Sequence, residues 1–223
     1  KSWFENGQKR SQSTYRDDNP DGPWMLWYED GQKRGEGTYK NDKKDGPWKL
    51  WYENGQKRGE GTYKNDKKDG LWTYWYADEQ KEREETYKDG KFDGRFTTWY
   101  ESGQKQSDGF YKDGQQDGLW MYYDDEDGQK RAETTYKEGK KDGLWRRWDK
   151  QGNITKQTIY KNKQNVGERN YKDGKQDGRW TEWGAGGQKG EGVYKDGKKD
   201  GSWIYYDENG KKVGEGAYKD GKK

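Results

Sequence analysis

Along most of this chain a short aromatic-apolar run alternates with a glycine-bearing polar run, and turn-forming clusters separate the two. The cleanest copy is DGPWKLWYENGQKRGEGTYKNDKK, from Asp45 to Lys68. Trp48-Lys49-Leu50-Trp51-Tyr52 is rich in aromatic and β-compatible side chains, which favours an extended strand. Glu53-Asn54-Gly55-Gln56 supplies an Asn-Gly pair suited to positive φ, and so predicts a tight hairpin. Lys57 to Lys64 makes the return strand, and Asn65 to Gly70 a longer polar turn. Glycine recurs inside every period, at roughly 1 kcal/mol each relative to alanine in a helix, and no 3.6-residue apolar stripe exists. The pattern is therefore one of antiparallel strand pairs.

The unit repeats. The tyrosine of the "TYK" element falls at Tyr15, Tyr39, Tyr63, Tyr87, Tyr111, Tyr136, Tyr160, Tyr171, Tyr194 and Tyr218, in steps of 24, 24, 24, 24, 25, 24, 11, 23 and 24. A fixed period of about 24 residues marks a repeat array in which each unit buries its aromatic surface against the next. Nine Trp-type and ten Tyr-type strands follow, about 19 in all, in a single twisted sheet or open solenoid. The expected organisation is a single repeat domain over 1–223: regular repeats over 1–153, an irregular repeat over 154–178 and terminal repeats over 179–223.

Two local features refine this picture. Gly59 and Gly61 lie where a ring from a neighbouring strand can cover bare backbone, and the pair recurs as Gly35/Gly37, Gly190/Gly192 and Gly214/Gly216. Arg83 and Glu85 replace it in the middle of the chain, so packing should differ there. Between Tyr160 and Tyr171 the Trp-type strand is absent, so two Tyr-type strands follow one another. In a meander that deletion reverses every later strand, and the turns at Gly187 and Gly210 should emerge on the edge opposite those at Gly7, Gly31 and Gly55.

Composition alone points the other way. Leu, Ile, Val and Phe number only 15 of 223 residues and 40% are charged, which ordinarily marks a chain unable to fold. The 33 Trp and Tyr residues at fixed repeat positions oppose disorder. With 46 basic and 43 acidic residues the net charge is only +3. Nucleic acid is not the expected partner, because nearly every Lys-rich turn also holds Asp or Glu. The chain has no Cys, hence no disulfide and no thiolate metal site, and no His. No apolar run approaches the ~20 residues of a transmembrane segment.

The repeated elements, Asp-Gly before an aromatic (Gly46 to Trp48), Tyr before Glu-Asn-Gly (Tyr52 to Gly55) and Glu-Gly-x-Tyr (Glu60 to Tyr63), resemble the MORN-variant repeat of bacterial proteins, including the YwqK-type antitoxins. The likeness covers essentially the whole chain. It departs at Glu79 in place of the turn glycine, at the extra residue near Asp127-Gly128 and at the missing strand. The resemblance implies a hairpin array used as an interaction scaffold, in some members linked to membrane phospholipid, and in YwqK-like members labelled as an antitoxin that neutralises a toxin.

Catalysis needs a nonrepeated nucleophile, base and charge stabiliser, whereas this chain offers six scattered Ser and carboxylates that recur in turns. A non-enzymatic protein without cofactor or catalytic residues is expected. Asp124 to Gly128 is the one concentrated acidic cluster; it reads as an enlarged turn rather than a metal site, its spacing matching no established calcium loop.

Three aromatic columns remain. The first is Trp24, Trp48, Trp72, Phe96, Trp120, Trp145, Trp180 and Trp203; the second is Trp27, Trp51, Trp75, Trp99, Tyr123, Trp148, Trp183 and Tyr206. Residues three apart on a strand face opposite sides, so both faces should carry rings unless a bulge realigns them. The third column keeps its tyrosine only at Tyr28, Tyr52, Tyr76 and Tyr100. A protein partner, in the antitoxin reading a toxin, is therefore expected at Trp27, Trp51, Trp75 and Trp99 with Tyr28, Tyr52, Tyr76 and Tyr100. Two other ligand classes suit the same pattern: glycan stacked on the ring ladders, and anionic lipid at Lys43-Lys44, Lys67-Lys68 and Lys198-Lys199. An antitoxin would be cytoplasmic; a glycan binder would sit at the cell surface or be secreted. Uncapped terminal strands leave end-to-end self-association open.

Overall fold

The computed structural model describes residues 1–162, 164–184 and 186–223. Among these residues the chain is all-β, with twenty strand segments antiparallel to their partners and no helix. The extra segment over the expected 19 arises where one Trp-type strand is interrupted at Asp45, giving Lys43–Lys44 and Gly46–Trp51. Contacts cluster into two compact units, Lys1–Asp117 and Gly118–Lys223.

The two turn types exchange the roles expected of them. Lys64 pairs directly with Lys67, so Asn65 and Asp66 alone make that turn, at φ 50° and 66°. Two successive left-handed residues define the type I′ hairpin, which Asn and Asp tolerate and which matches strand twist. Asp89-Gly90, Asp113-Gly114 and Asp196-Gly197 repeat it. The Asn-Gly segment is the longer connection: Trp51 pairs with Lys57, and Tyr52 N donates to Gln56 O at 2.9 Å across the loop. Asp69-Gly70 is not turn but bulge. Thr62 opposes Asp69 while Glu60 opposes Thr73, so four residues of one strand span two of the other.

In the first unit these bulged strands set the first-column indoles on one face. Trp48 is 4% exposed and Trp72 1%. Trp24 stacks on Trp48 at 4.8 Å between centroids, and Tyr39, Tyr63 and Trp72 follow edge-to-face at 5.0–5.7 Å. Such geometry suits the ring quadrupoles. The space is made by glycine: a Cβ at Gly37 would lie 2.3 Å from the Trp48 ring, and one at Gly61 2.2 Å from Trp72. Lys44 and Lys68 turn inward, each ammonium 4.7 Å from the Trp48 or Trp72 centroid. Burial depresses the Lys68 pKa and pushes Tyr74 up to about 12.

Where Arg83 and Glu85 stand in for the glycine pair, a polar cluster replaces the bare backbone. Glu85, 5% exposed, accepts from Arg83 Nε and Tyr87 OH, both at 2.8 Å, with Lys68 Nζ 3.9 Å away. The central repeat thus packs differently, as its sequence implied. A buried carboxylate is tolerable only when paired and hydrogen-bonded in this way.

The second unit contains the repeat break. Strand Ile154–Lys161 pairs directly with Gln164–Lys172, and the latter with Lys175–Trp183. One Trp-type strand is therefore missing, and the antiparallel chain of pairings places the turn at Gly152 and that at Gly187 on opposite edges. A second reversal accompanies the first. Thr158, opposite Trp145, lies also opposite Glu168, whereas Gln157 opposes Arg169, two residues before Tyr171; Tyr171 OH bonds Gln157 Oε1 at 3.2 Å. Directly opposed residues share a face and neighbours along a strand alternate. Hence the Trp145–Tyr160 ring row and the row of Tyr171, Trp180, Tyr194 and Trp203 occupy opposite faces. In the latter row successive rings meet edge-to-face at 5.0–5.3 Å.

Gly192→Ala should cost about 1–3 kcal/mol, because its Cβ would fall 2.4 Å from the Trp203 ring. Gly214→Ala, which meets nothing within 4 Å, should leave stability unchanged or raised. Thermal denaturation of the two variants side by side measures the difference.

Candidate functional site

The sequence-predicted residues all lie in the first unit. Each second-column ring closes a Trp-type strand, adjacent to a residue such as Leu50 that faces the packed indoles, so it points to the opposite face. Both faces carry aromatics, and the ladder irregularity falls in the partner strand instead: Leu50 opposes Gly59 and Trp51 opposes Lys57, leaving Arg58 as the extra residue.

That extra residue shapes the surface. It puts Lys57 and Glu60 on one face, joined at 2.9 Å, and Lys57 Nζ sits 5.0 Å from the Trp75 centroid. Lys33 repeats the arrangement with Glu36 at 2.8 Å over Trp51, and Lys81 with Glu84 at 2.6 Å over Trp99. Lys9 covers Trp27 at 5.0 Å and bonds Gln12 instead. Trp27, Trp51, Trp75 and Trp99 are half-buried beneath these lids. A lysine over a ring contributes ~0.5–1 kcal/mol at an exposed site, and surface ion pairs little more. The face is therefore a ladder of indole, ammonium and carboxylate that a partner could displace at modest cost.

The tyrosines behave differently. Tyr28 OH donates to Trp51 O at 2.8 Å, Tyr52 OH to Trp75 O at 2.8 Å and Tyr76 OH to Trp99 O at 2.9 Å. Each phenol thus latches its repeat to the next. Arg34 and Arg58 lie 5.5 and 5.9 Å from the Tyr28 and Tyr52 centroids. Desolvation, then the nearby Glu82 carboxylate, raises the Tyr52 pKa.

Sequence reasoning missed the lids. Their signal was present: a lysine stands eighteen residues before each ring (Lys9 to Trp27, Lys33 to Trp51, Lys57 to Trp75, Lys81 to Trp99), with an acid three residues after most of these lysines. The acidic cluster forms a wide turn, Asp124 N donating to Gln129 O at 2.9 Å and Gly128 N to Asp124 O at 3.1 Å. Among the described residues there is no cluster of three or more metal-ligating side chains and no helix long and apolar enough to cross a membrane.

The repeat geometry coincides with a known family model, the MORN repeat variant, which matches residues 1–17, 20–41, 44–65, 68–89, 92–113, 141–162 and 199–220. The chain belongs to the MORN repeat variant family. The stretches its model passes over, 114–140 and 163–198, contain the enlarged turn and the strand that follows the break. No curated protein matches. Among solved structures the chain is similar to a mutant of the TCP10 domain of Danio rerio CPAP, at 17% identity over 94% of this chain and 100% of that one, with a TM-score of 0.23. MORN repeats form scaffolds, often for membrane or protein binding, and this chain is a repeat scaffold.

Tyr52→Phe should lower stability by about 1 kcal/mol, since it leaves the Trp75 carbonyl without its donor. Lys57→Ala should change stability by less than that while shifting tryptophan emission to the red as the Trp75 lid is lost. Denaturant unfolding monitored by fluorescence reads both.

Proposed function

We propose that the ladder face of the first unit, Trp27, Trp51, Trp75 and Trp99 with their lysine lids, binds a protein partner, which in the antitoxin reading is a toxin. The observation that supports this is the lid itself. A ring already capped by ammonium and bordered by carboxylate suits a polypeptide that brings both charges, whereas a sugar ring needs an uncovered aromatic face. Tyr28, Tyr52 and Tyr76 then serve as latches that hold the rungs in place.

The anionic-lipid reading has weaker support. In the paired turn lysines Lys43-Lys44, Lys67-Lys68 and Lys198-Lys199, the second member is turned into the aromatic packing, over Trp48, Trp72 and Trp203 respectively. Half of that basic surface is therefore withdrawn from solvent.

Affinity capture with the wild-type chain and with a Lys33→Glu/Lys57→Glu/Lys81→Glu variant tests the proposal. The expected result is one or more proteins retained by the wild type and lost from the variant, with the thermal midpoint little changed. Equal capture by both, or salt-sensitive binding to phosphatidylserine vesicles without selective protein capture, would overturn it.

A further inference from the structure

The repeat break leaves one rung without its lid. In the second unit Lys130 covers Trp148 at 5.3 Å and Lys189 covers Tyr206 at 4.6 Å. The residue eighteen before Trp183 is Asn165, not lysine. Strand Gln164–Lys172 nevertheless keeps the rest of the pattern, since Asn165-Val166-Gly167-Glu168 occupies the place of Lys57-Arg58-Gly59-Glu60. The acid of the lysine–glutamate pair is present and its lysine is gone. No cation lies over the Trp183 ring among the described residues, and Trp183 is 42% exposed where Trp148 and Tyr206 are half-buried.

The uncovered ring borders space. A concavity of about 890 Å³ lies on this face, with Trp183, Val193 and Ile204 among its apolar lining. Val193 is also exposed. Trp183 is seated against Gly167, whose Cβ would fall 3.2 Å from the indole nitrogen. Carboxylates outnumber cations around the rim: Glu168, Glu191, Asp207 and Glu208 against Arg179 and Lys189. Lys189 is committed to Glu191 at 3.0 Å and to the Tyr206 ring. Glu168 is held by Lys156 at 3.0 Å and by Asn170 Nδ2 at 2.9 Å. Desolvation opposes but does not outweigh those partners, and the Glu168 pKa is lowered, the Asn170 hydrogen bond being the largest cause.

We propose that Trp183, Glu168 and the adjoining concavity form a binding site for a lysine side chain supplied by a partner polypeptide, which takes the position that the chain's own lysine fills in the other rungs. The ammonium would lie over the indole and beside the carboxylate, and its methylene stem against Val193 and Ile204, as lysine stems pack elsewhere on apolar surface. The site is separate from the ladder of the first unit and stands or falls without it.

The test follows the indole N–H resonance of Trp183, assigned by its disappearance in Trp183→Phe, as a capped peptide of alternating lysine and glycine is added to the full chain. A saturable shift is expected, weakened at least fivefold in Asn165→Lys, which restores the lid, and reduced in Glu168→Gln. A capped glutamate–glycine peptide should produce none. An unchanged thermal midpoint shows that each variant is folded. Absence of a shift in the wild type, or equal affinity in the wild type and Asn165→Lys, would overturn the proposal.

Discussion

Packing of an indole onto the bare backbone of a neighbouring strand is the contact on which the rest depends. A chain with so few aliphatic residues has no interior to collapse around, so each first-column tryptophan must find its cover one strand away. Gly37, Gly61 and Gly192 provide it, where a methyl group would occupy the space of the ring. The tyrosines between successive indoles complete the row edge-to-face, and lysines folded over the same rings exclude water with their stems. Polarity of composition and order of structure are thereby compatible: the apolar surface is concentrated in large rings placed at one spacing.

The opposite face is built from the same period with a different outcome. Its rings are covered by long charged side chains rather than by neighbours' rings, so the cover is soft. Within the first unit the strands thus carry a fixed face and an adaptable one, and the proposed binding uses the second. The missing strand after Tyr160 has two consequences that a simple shortening would not. It exchanges the faces, because the strand that follows enters with opposite pleat, and that strand carries Asn165 where the other rungs carry the lysine above the ring.

Much of this was legible in the sequence because a period exposes what single copies hide. The strand number, the packing of rings on glycine, the altered packing at Arg83 and Glu85 and the missing strand all follow from where residues recur; the exception is the Gly214/Gly216 pair on the last strand, where Gly214 meets nothing within 4 Å. Turn type was misjudged at Asn65-Asp66, where two residues able to adopt left-handed conformation close the hairpin without glycine. Length of the polar run was the wrong guide, since Asp69-Gly70 belongs to a bulge. The lids over Trp51, Trp75 and Trp99 were invisible for another reason: Lys57 lies on the strand read for it, Lys57–Lys64, but the ring it covers, Trp75, belongs to the next Trp-type strand, across a turn and a bulge. The latch made by Tyr52 was not legible, because its hydroxyl partner, a backbone carbonyl 23 residues away, leaves no mark in side-chain pattern.

Solvent exchange of the tryptophan indole N–H protons addresses the central contact most directly. Trp72 Nε1 donates to Thr62 O at 3.0 Å and Trp203 Nε1 to Val193 O at 3.1 Å, beneath rings that are essentially unexposed. These protons should exchange orders of magnitude more slowly than that of Trp183, whose ring is open to water. Uniformly fast exchange across first-column and second-column indoles would contradict the account, because it would mean that glycine backbone and indole do not pack together in solution.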